Sequence, residues 1–158
     1  MSIDRARAFF RQFGMEGRIL EFSRSSATVT LAAEALGCDP ARIAKTLSFL
    51  IDGKPVLIVT AGDARVDNAR FKARFHCKMK MLKAEDTEDA IGHAVGGVCP
   101  FGVAPGVRVF LDQSLRRFET VFPAVGTPNS AIELSIPELE RASEFTDWVD
   151  VTKAVVSD

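Results

Sequence analysis

Lys45 and the run Ala94-Val95-Gly96-Gly97-Val98-Cys99-Pro100-Phe101-Gly102 are the parts of this sequence whose residue types could do chemistry. The run holds three glycines and one proline in nine residues. Glycine permits positive φ and lets another molecule approach the main chain closely; proline stiffens the turn and supplies no N–H. Such a loop is either a buried structural turn or a floor of backbone N–H groups able to hold a carbonyl oxygen, an oxyanion or a phosphate. Lys45 falls in a strand-like stretch, Ile43 to Ile51, whose alternate positions share a face. That face reads Ile43, Lys45, Leu47, Phe49 and Ile51, with Ala44, Thr46 and Ser48 on the other. Lysine is rarely buried without a partner. Here its ammonium either snorkels to the sheet edge or enters a pocket with a use for a cation.

Other reactive side chains have simpler readings. Cys99 and His93 could form a thiol nucleophile and its base, but nothing in the sequence brings them together, and a small buried cysteine suits a tight loop. His76-Cys77 has no second ligand pair at zinc spacing, so no metal is expected. Asp63 and Asp67 could be acid/base carboxylates; a turn residue and a helix cap describe them equally. The acidic cluster Glu85, Asp86, Glu88 and Asp89 suits a solvated helix start. No phosphate-loop lysine motif, dinucleotide fingerprint or nucleophile elbow occurs, so no cofactor is expected either.

The elements that would position these residues follow from periodicity and punctuation. Ile3, Ala6, Phe9, Phe10 and Phe13 recur at helical spacing, predicting an amphipathic helix over 2–13 that ends at Gly14. A short strand is expected from Arg18 to Phe22. The hydroxyl-rich Ser23-Arg24-Ser25-Ser26-Ala27-Thr28 feeds a helix over Val29 to Leu36, stopped by Gly37; hydroxyls at that place cap a helix or face a pocket. Asp52-Gly53 joins the strand at 43–51 to a partner at 55–61 as a hairpin. Asp67 caps a short basic helix reaching Phe75. His76 to Leu82 alternates weakly, as an edge strand guarded by lysines would. A helix over 85–93 leads into the glycine loop. Strands are then expected at 107–111, 118–125 and 130–134, the last two separated by the turn Gly126-Thr127-Pro128-Asn129. Ser135-Ile136-Pro137-Glu138 opens a helix through Ala142 with a capping box, and a final strand lies around 148–151. Hairpin-linked strands among short helices predict an α+β fold in one domain over 1–158, its sheet twisted, mixed and mainly antiparallel.

Totals bound the rest. The chain has 158 residues, 47% of them hydrophobic, which suits one domain with a substantial core. Lys and Arg number 20 against 21 Asp and Glu, so a strongly basic nucleic-acid footprint is absent. A local patch is present instead: Arg65, Arg70, Lys72, Arg74, Lys78, Lys80 and Lys83, opposed within that stretch only by Asp67. No apolar run approaches bilayer length, so no membrane partner is expected. Three cysteines fit a reducing compartment, and the cytoplasm is the expected location.

With Lys45 and the glycine loop in view, the chain resembles the YbaK/EbsC family of free-standing editing proteins, related to the editing domain inserted in bacterial prolyl-tRNA synthetases. The matching pieces are Ser25-Ser26-Ala27-Thr28, Ile43-Ala44-Lys45-Thr46-Leu47, Thr60-Ala61-Gly62-Asp63, the loop from Gly96 to Gly102, and Gly126-Thr127-Pro128-Asn129-Ser130-Ala131-Ile132-Glu133-Leu134. They keep the family's order across about residues 20–142. The resemblance implies a partial barrel with flanking helices and hydrolysis of the ester joining a wrong amino acid to tRNA, most typically a proline tRNA. It implies mischarged aminoacyl-tRNA as partner, with an aminoacyl-tRNA synthetase as a further one. It makes Lys45, Gly96, Gly97 and Pro100 the catalytic set. Ser26, Thr28, Thr46, Val98, Cys99, Phe101, Gly102, Gly126 and Asn129 become its substrate-binding surroundings. The family is thought to use a water positioned beside the substrate's ribose hydroxyl rather than a protein nucleophile. Its alanine-specific members carry asparagine after the key lysine, where this chain has Thr46, which favours the YbaK-like or uncharacterised branches.

A second function class uses the same pocket without turnover, as a module binding tRNA, a nucleotide or an amino-acid derivative. A third, a thiol-dependent hydrolase built on Cys99, predicts inactivation by Cys99→Ser.

Overall fold

A computed structural model describes residues 3–23, 28–93 and 96–154. The hairpin at its centre is written plainly in the sequence. Strand β2 (Ile43–Ile51) pairs antiparallel with β3 (Lys54–Ala61), placing Lys45 across from Thr60. Between them Asp52 and Gly53 both take positive φ, 53° and 74°. Two such residues form the turn whose twist matches that of paired strands.

Around the hairpin a six-stranded mixed sheet curls into a half-barrel. The parallel partners of the hairpin are β5 (Arg108–Asp112), beside β3, and β6 (Thr120–Pro123), beside β2. Strands β8 (Leu134–Ser135) and β9 (Asp147–Val149) form the edges, giving the order β8-β6-β2-β3-β5-β9. Two antiparallel pairs stand outside this sheet: β1 (Ile19–Glu21) with β7 (Ser130–Ile132), and β4 (Ala64–Val66) with β10 (Thr152–Ala154).

Strand β3 is buried on both faces, so its side chains alternate between two cores. Leu57, Val59 and Ala61 join the cluster covered by α1 (Ile3–Arg11), through Ala6 and Phe10, and by α5 (Ile136–Ser143), through Leu139 and Ala142. Val56 and Ile58 join Phe49, Ile51 and Phe110 beneath α3 (Asn68–Phe75), which contributes Phe71. Each fully buried side chain of this size contributes about 1.5–3 kcal/mol.

The helices begin where side chains satisfy their free N–H groups. The Thr28 hydroxyl accepts from Leu31 N at 3.1 Å to start α2 (Val29–Leu36), which ends in left-handed Gly37. The Asp67 carboxylate accepts from Arg70 N at the start of α3. In α5, Ser135 and Glu138 form the expected capping box. Helix α4 (Ala84–Ile91) starts at Lys83 and carries Glu85 and Asp86 in its first turn.

Four sequence expectations change. Residues 76–82 form no regular strand; they make one bridge, Met81 to Phe49, and two backbone bonds to β2, Leu50 N to Lys80 O and Leu82 N to Ser48 O. Cys77 and Met79 turn into the core beneath α3, which bends this strap away from a ladder. The stretch 130–134 divides at exposed Glu133 into β7 and β8, because β1 claims the first part and β6 the second. The strand expected at 118–125 is confined to β6, following a 3-10 helix over Gln113–Arg117. The C-terminal strand is two, β9 and β10, paired on β5 and β4. Among the described residues no helix is long and apolar enough to cross a membrane.

Candidate active site

Strand β2 supplies the wall of a cavity of about 410 Å³ through six consecutive residues, Ile43 to Ser48. Both faces of the strand line it, as happens where a sheet curls at the end of its longest hairpin. From α2 come Val29 and Ala32, and from the strap Met81 and Leu82. Ala84 and Thr87 of α4 close another side, with Phe122 and Ala124 from β6 and its exit, and Ser130 and Ala131 from β7. Gly96 and Val98 bring the glycine loop to the same space. The walls are mostly apolar, with a few polar groups to fix orientation, the usual composition of a small-molecule site.

Among the described residues, Lys45 is the charged side chain in this lining. It is half-buried, and burial lowers its ammonium pKa; the nearby Asp63 carboxylate acts against that fall, while Arg65 adds to it. Among the described residues none forms an ion pair or hydrogen bond with its ammonium. Asp63 is itself occupied: its carboxylate is gripped by the guanidinium fork of Arg117, with one contact at 2.9 Å, and held below the usual carboxylate range chiefly by that bond. Among the described residues the ammonium is therefore a cation without a resident counter-ion, open to an anionic or carbonyl group.

The glycine loop is fixed by close backbone packing. A Cβ added to Gly97 would lie 2.6 Å from Gly126 O and 2.8 Å from Thr127 N. Gly96 and Gly126 both take φ of 92°, which side chains disfavour. Asn129 ties the same turn to the chain's start, its amide donating to Phe22 O at 3.0 Å.

The sequence candidates therefore divide by place. Lys45, Thr46, Thr28, Gly96 and Val98 meet around the cavity. Gly97, Cys99, Pro100, Phe101 and Gly126 are buried behind it, Gly102 is exposed, and Asn129 braces the neighbouring turn. Ser26 lies outside the described residues. Met81, Thr87, Phe122, Ala124 and Ala131 line the cavity without having been singled out as site residues, for they are ordinary residues brought in from distant elements.

Cys99 and His93 do meet, with Sγ 3.5 Å from Nε2, a contact that nothing in the sequence announced. Yet Nε2 lies 2.6 Å from Phe101 O, an acceptor only, so this nitrogen carries the proton and cannot take one from the thiol. Burial pushes the thiol pKa up to about 12 and lowers that of the imidazole. Both side chains are fully buried. A thiolate nucleophile needs the opposite environment.

Comparison with known proteins bears on the family and the fold. The family described as aminoacyl-tRNA editing domain matches residues 24–142. The chain is 49% identical over 154 residues to the "Uncharacterized protein YwhH" of Bacillus subtilis (strain 168), covering 97% of this chain and 98% of that one. It is 32% identical over 113 residues to a proline–tRNA ligase of Limosilactobacillus fermentum, covering 67% of this chain and 20% of the ligase, so it spans about one-fifth of that enzyme's length. A crystal structure of a candidate trans-editing enzyme for prolyl tRNA synthetase has the same fold, with a TM-score of 0.85 at 24% identity and coverage of 98% and 99%. By its sequence match, over a fold that gathers Lys45 and the glycine loop around one cavity, the chain belongs to the aminoacyl-tRNA editing domain family.

Proposed function

We propose that this protein is an aminoacyl-tRNA deacylase that acts in trans, hydrolysing the ester of a mischarged tRNA, with proline tRNA carrying a small non-cognate amino acid as its substrate. The observation that carries this reading is the Lys45 ammonium, without an ion pair or hydrogen bond among the described residues, in the wall of a mostly apolar cavity that Gly96 and Val98 also line. The kinship with proline–tRNA ligases supports the choice of tRNA, and a synthetase that mischarges it would be the source of the substrate.

In this mechanism water adds to the ester carbonyl carbon, assisted by the ribose hydroxyl next to the ester. Negative charge gathers on the carbonyl oxygen, where backbone N–H groups of the loop from Gly96 to Val98 stabilise it. Donors of this kind contribute about 2.7–4 kcal/mol each to such a transition state. Collapse breaks the bond to the ribose oxygen, which takes up a proton, and the free amino acid leaves. Lys45 acts as a point charge on the terminal nucleotide's phosphate or on the ester. Thr28 and Thr46 contact the substrate. Gly97, Cys99, Pro100, Phe101, Gly102, Gly126 and Asn129 hold the loop in shape. Cavity size then sets which amino acid enters, at about 1–3 kcal/mol per methylene.

Hydrolysis of proline tRNAs mischarged with alanine, cysteine, serine and other small amino acids tests the reading, with Lys45→Ala beside wild type. Release of one or a few that depends on Lys45 is expected. No release from any, with tRNA still bound, would replace the deacylase with a non-catalytic binding module.

A further inference from the structure

The basic stretch from Arg65 to Lys83 is not one surface. Arg70 is drawn to Asp150 and to Thr152 O, and Arg74 to Asp147 at 3.1 Å. These two cations tie α3 to the C-terminal strands. Lys78, Lys80 and Lys83 are different: all three are exposed, and among the described residues none has an ion pair.

Their position is set by the strap, which Leu50 N and Ser48 O fasten to β2 at 2.8 and 3.1 Å, the strand that carries Lys45. Lys80 and Lys83 flank Met81 and Leu82, which line the cavity, and Lys83 precedes Ala84, which also does. Met81 is an apolar side chain 53% exposed at this rim. Beyond Lys83 the first turn of α4 bears exposed Glu85 and Asp86. A polyanion reaching the cavity meets free cations along the strap and repulsion past its end.

We propose that Lys80 and Lys83, with Lys78 behind them, form the surface that holds the phosphates of the single-stranded 3′ end of tRNA as it enters the cavity. The inference rests on the deacylase reading for the identity of the polyanion. Single-stranded nucleic acid is bound by cations tracking the backbone, and exposed Met81 adds an apolar contact beside them. Neutralising phosphates releases counterions, so each contact leaves a mark on the salt dependence of binding.

The test measures binding of uncharged proline tRNA against salt concentration for wild type, Lys80→Gln/Lys83→Gln, Lys80→Arg/Lys83→Arg and, away from the cavity, Arg11→Gln. The glutamine pair is expected to weaken binding several-fold at low salt and to flatten the log–log slope by about 1.4, at ~0.7 per phosphate on a single strand. The arginine pair and Arg11→Gln should keep the wild-type slope. An unchanged slope in the glutamine pair, an equal loss in the arginine pair, or no salt-dependent binding by wild type would overturn the proposal. Deacylation is assayed separately: if wild type hydrolyses no ester while the slope still shifts, the surface stands and the deacylase reading falls.

Discussion

At the scale of single residues, the site is made of backbone where side chains might have been expected. Gly97 shows it most sharply. The three atoms nearest its would-be Cβ are all main-chain atoms of Gly126 and Thr127, none of which can swing aside. Gly97→Ala should therefore destabilise the fold by about 1–3 kcal/mol, the usual result of forcing extra atoms into a filled space. It should also reduce deacylation by moving the loop that Gly96 and Val98 share. Gly17→Ala is the natural comparison: its Cβ meets nothing within 4 Å and its φ is not positive, so a change within ±0.5 kcal/mol is expected. Urea denaturation of both variants beside wild type reads the difference. Equal stability of the two would mean that the two turns are not packed as described. Lys45 could be noticed from sequence because a cation interrupts an apolar face. That Asp63 is already taken could not, since Arg117, which occupies it, stands 54 positions away from Asp63 in the chain.

At the scale of elements, local chemistry fixed some boundaries and distant partners fixed others. The hairpin, α2, α3 and α5 begin and end where caps and turn residues say they should. The strap, the division at Glu133 and strand β4 depend on pairing with β2, β1, β6 and β10, which no local pattern announces. The start of α5 offers a pH test. Glu138 closes the capping box and also takes the guanidinium of Arg18, at 2.6 and 2.9 Å. These bonds, Arg18 first, lower its carboxyl pKa from 4.5 to about 2. A lowered carboxylate pKa adds stability that is present above the ordinary value and lost as the pH falls through the folded one. Between pH 4.5 and about 2 the wild type should lose this contribution. Glu138→Gln preserves the cap, because glutamine serves that position, but it has no charge to titrate. Thermal melts across the acid range should show a shallower fall for the variant; parallel curves would remove Glu138 from the acid response.

At the scale of the whole molecule, the chain's later part is locked to its centre by one buried carboxylate. Asp112, at the end of β5, is fully buried and accepts from Val151 N at 2.9 Å, Ser114 N at 2.9 Å and Thr152 Oγ1 at 2.7 Å. It thereby sets the corner between β9 and β10 and the 3-10 helix after β5, whose Ser114 hydroxyl accepts from Ala61 N at the end of β3. Arg117 of that helix holds Asp63, the carboxylate beside Lys45. The cavity itself draws on α2, β2, the strap, α4, the glycine loop, β6 and β7. Thr28 and Thr46 were marked by the family resemblance, but Ala32, Ala84, Thr87 and Ala124 carried no signal of their own, because only the closed fold brings them to one place. Loss of the corner should then be felt by the whole molecule. Asp112→Asn keeps the shape but turns one acceptor into an N–H₂ group facing donors, and one buried donor is left unsatisfied at a cost of about 1–3 kcal/mol. In a domain of this size each kcal/mol lowers Tm by roughly 2–4 °C. A single cooperative transition at reduced Tm is expected, with β10 and the centre melting together. If hydrogen exchange instead showed 150–154 opening alone, with the β2–β3 core protected as in wild type, the corner would be a local latch and the molecule's closure would rest elsewhere.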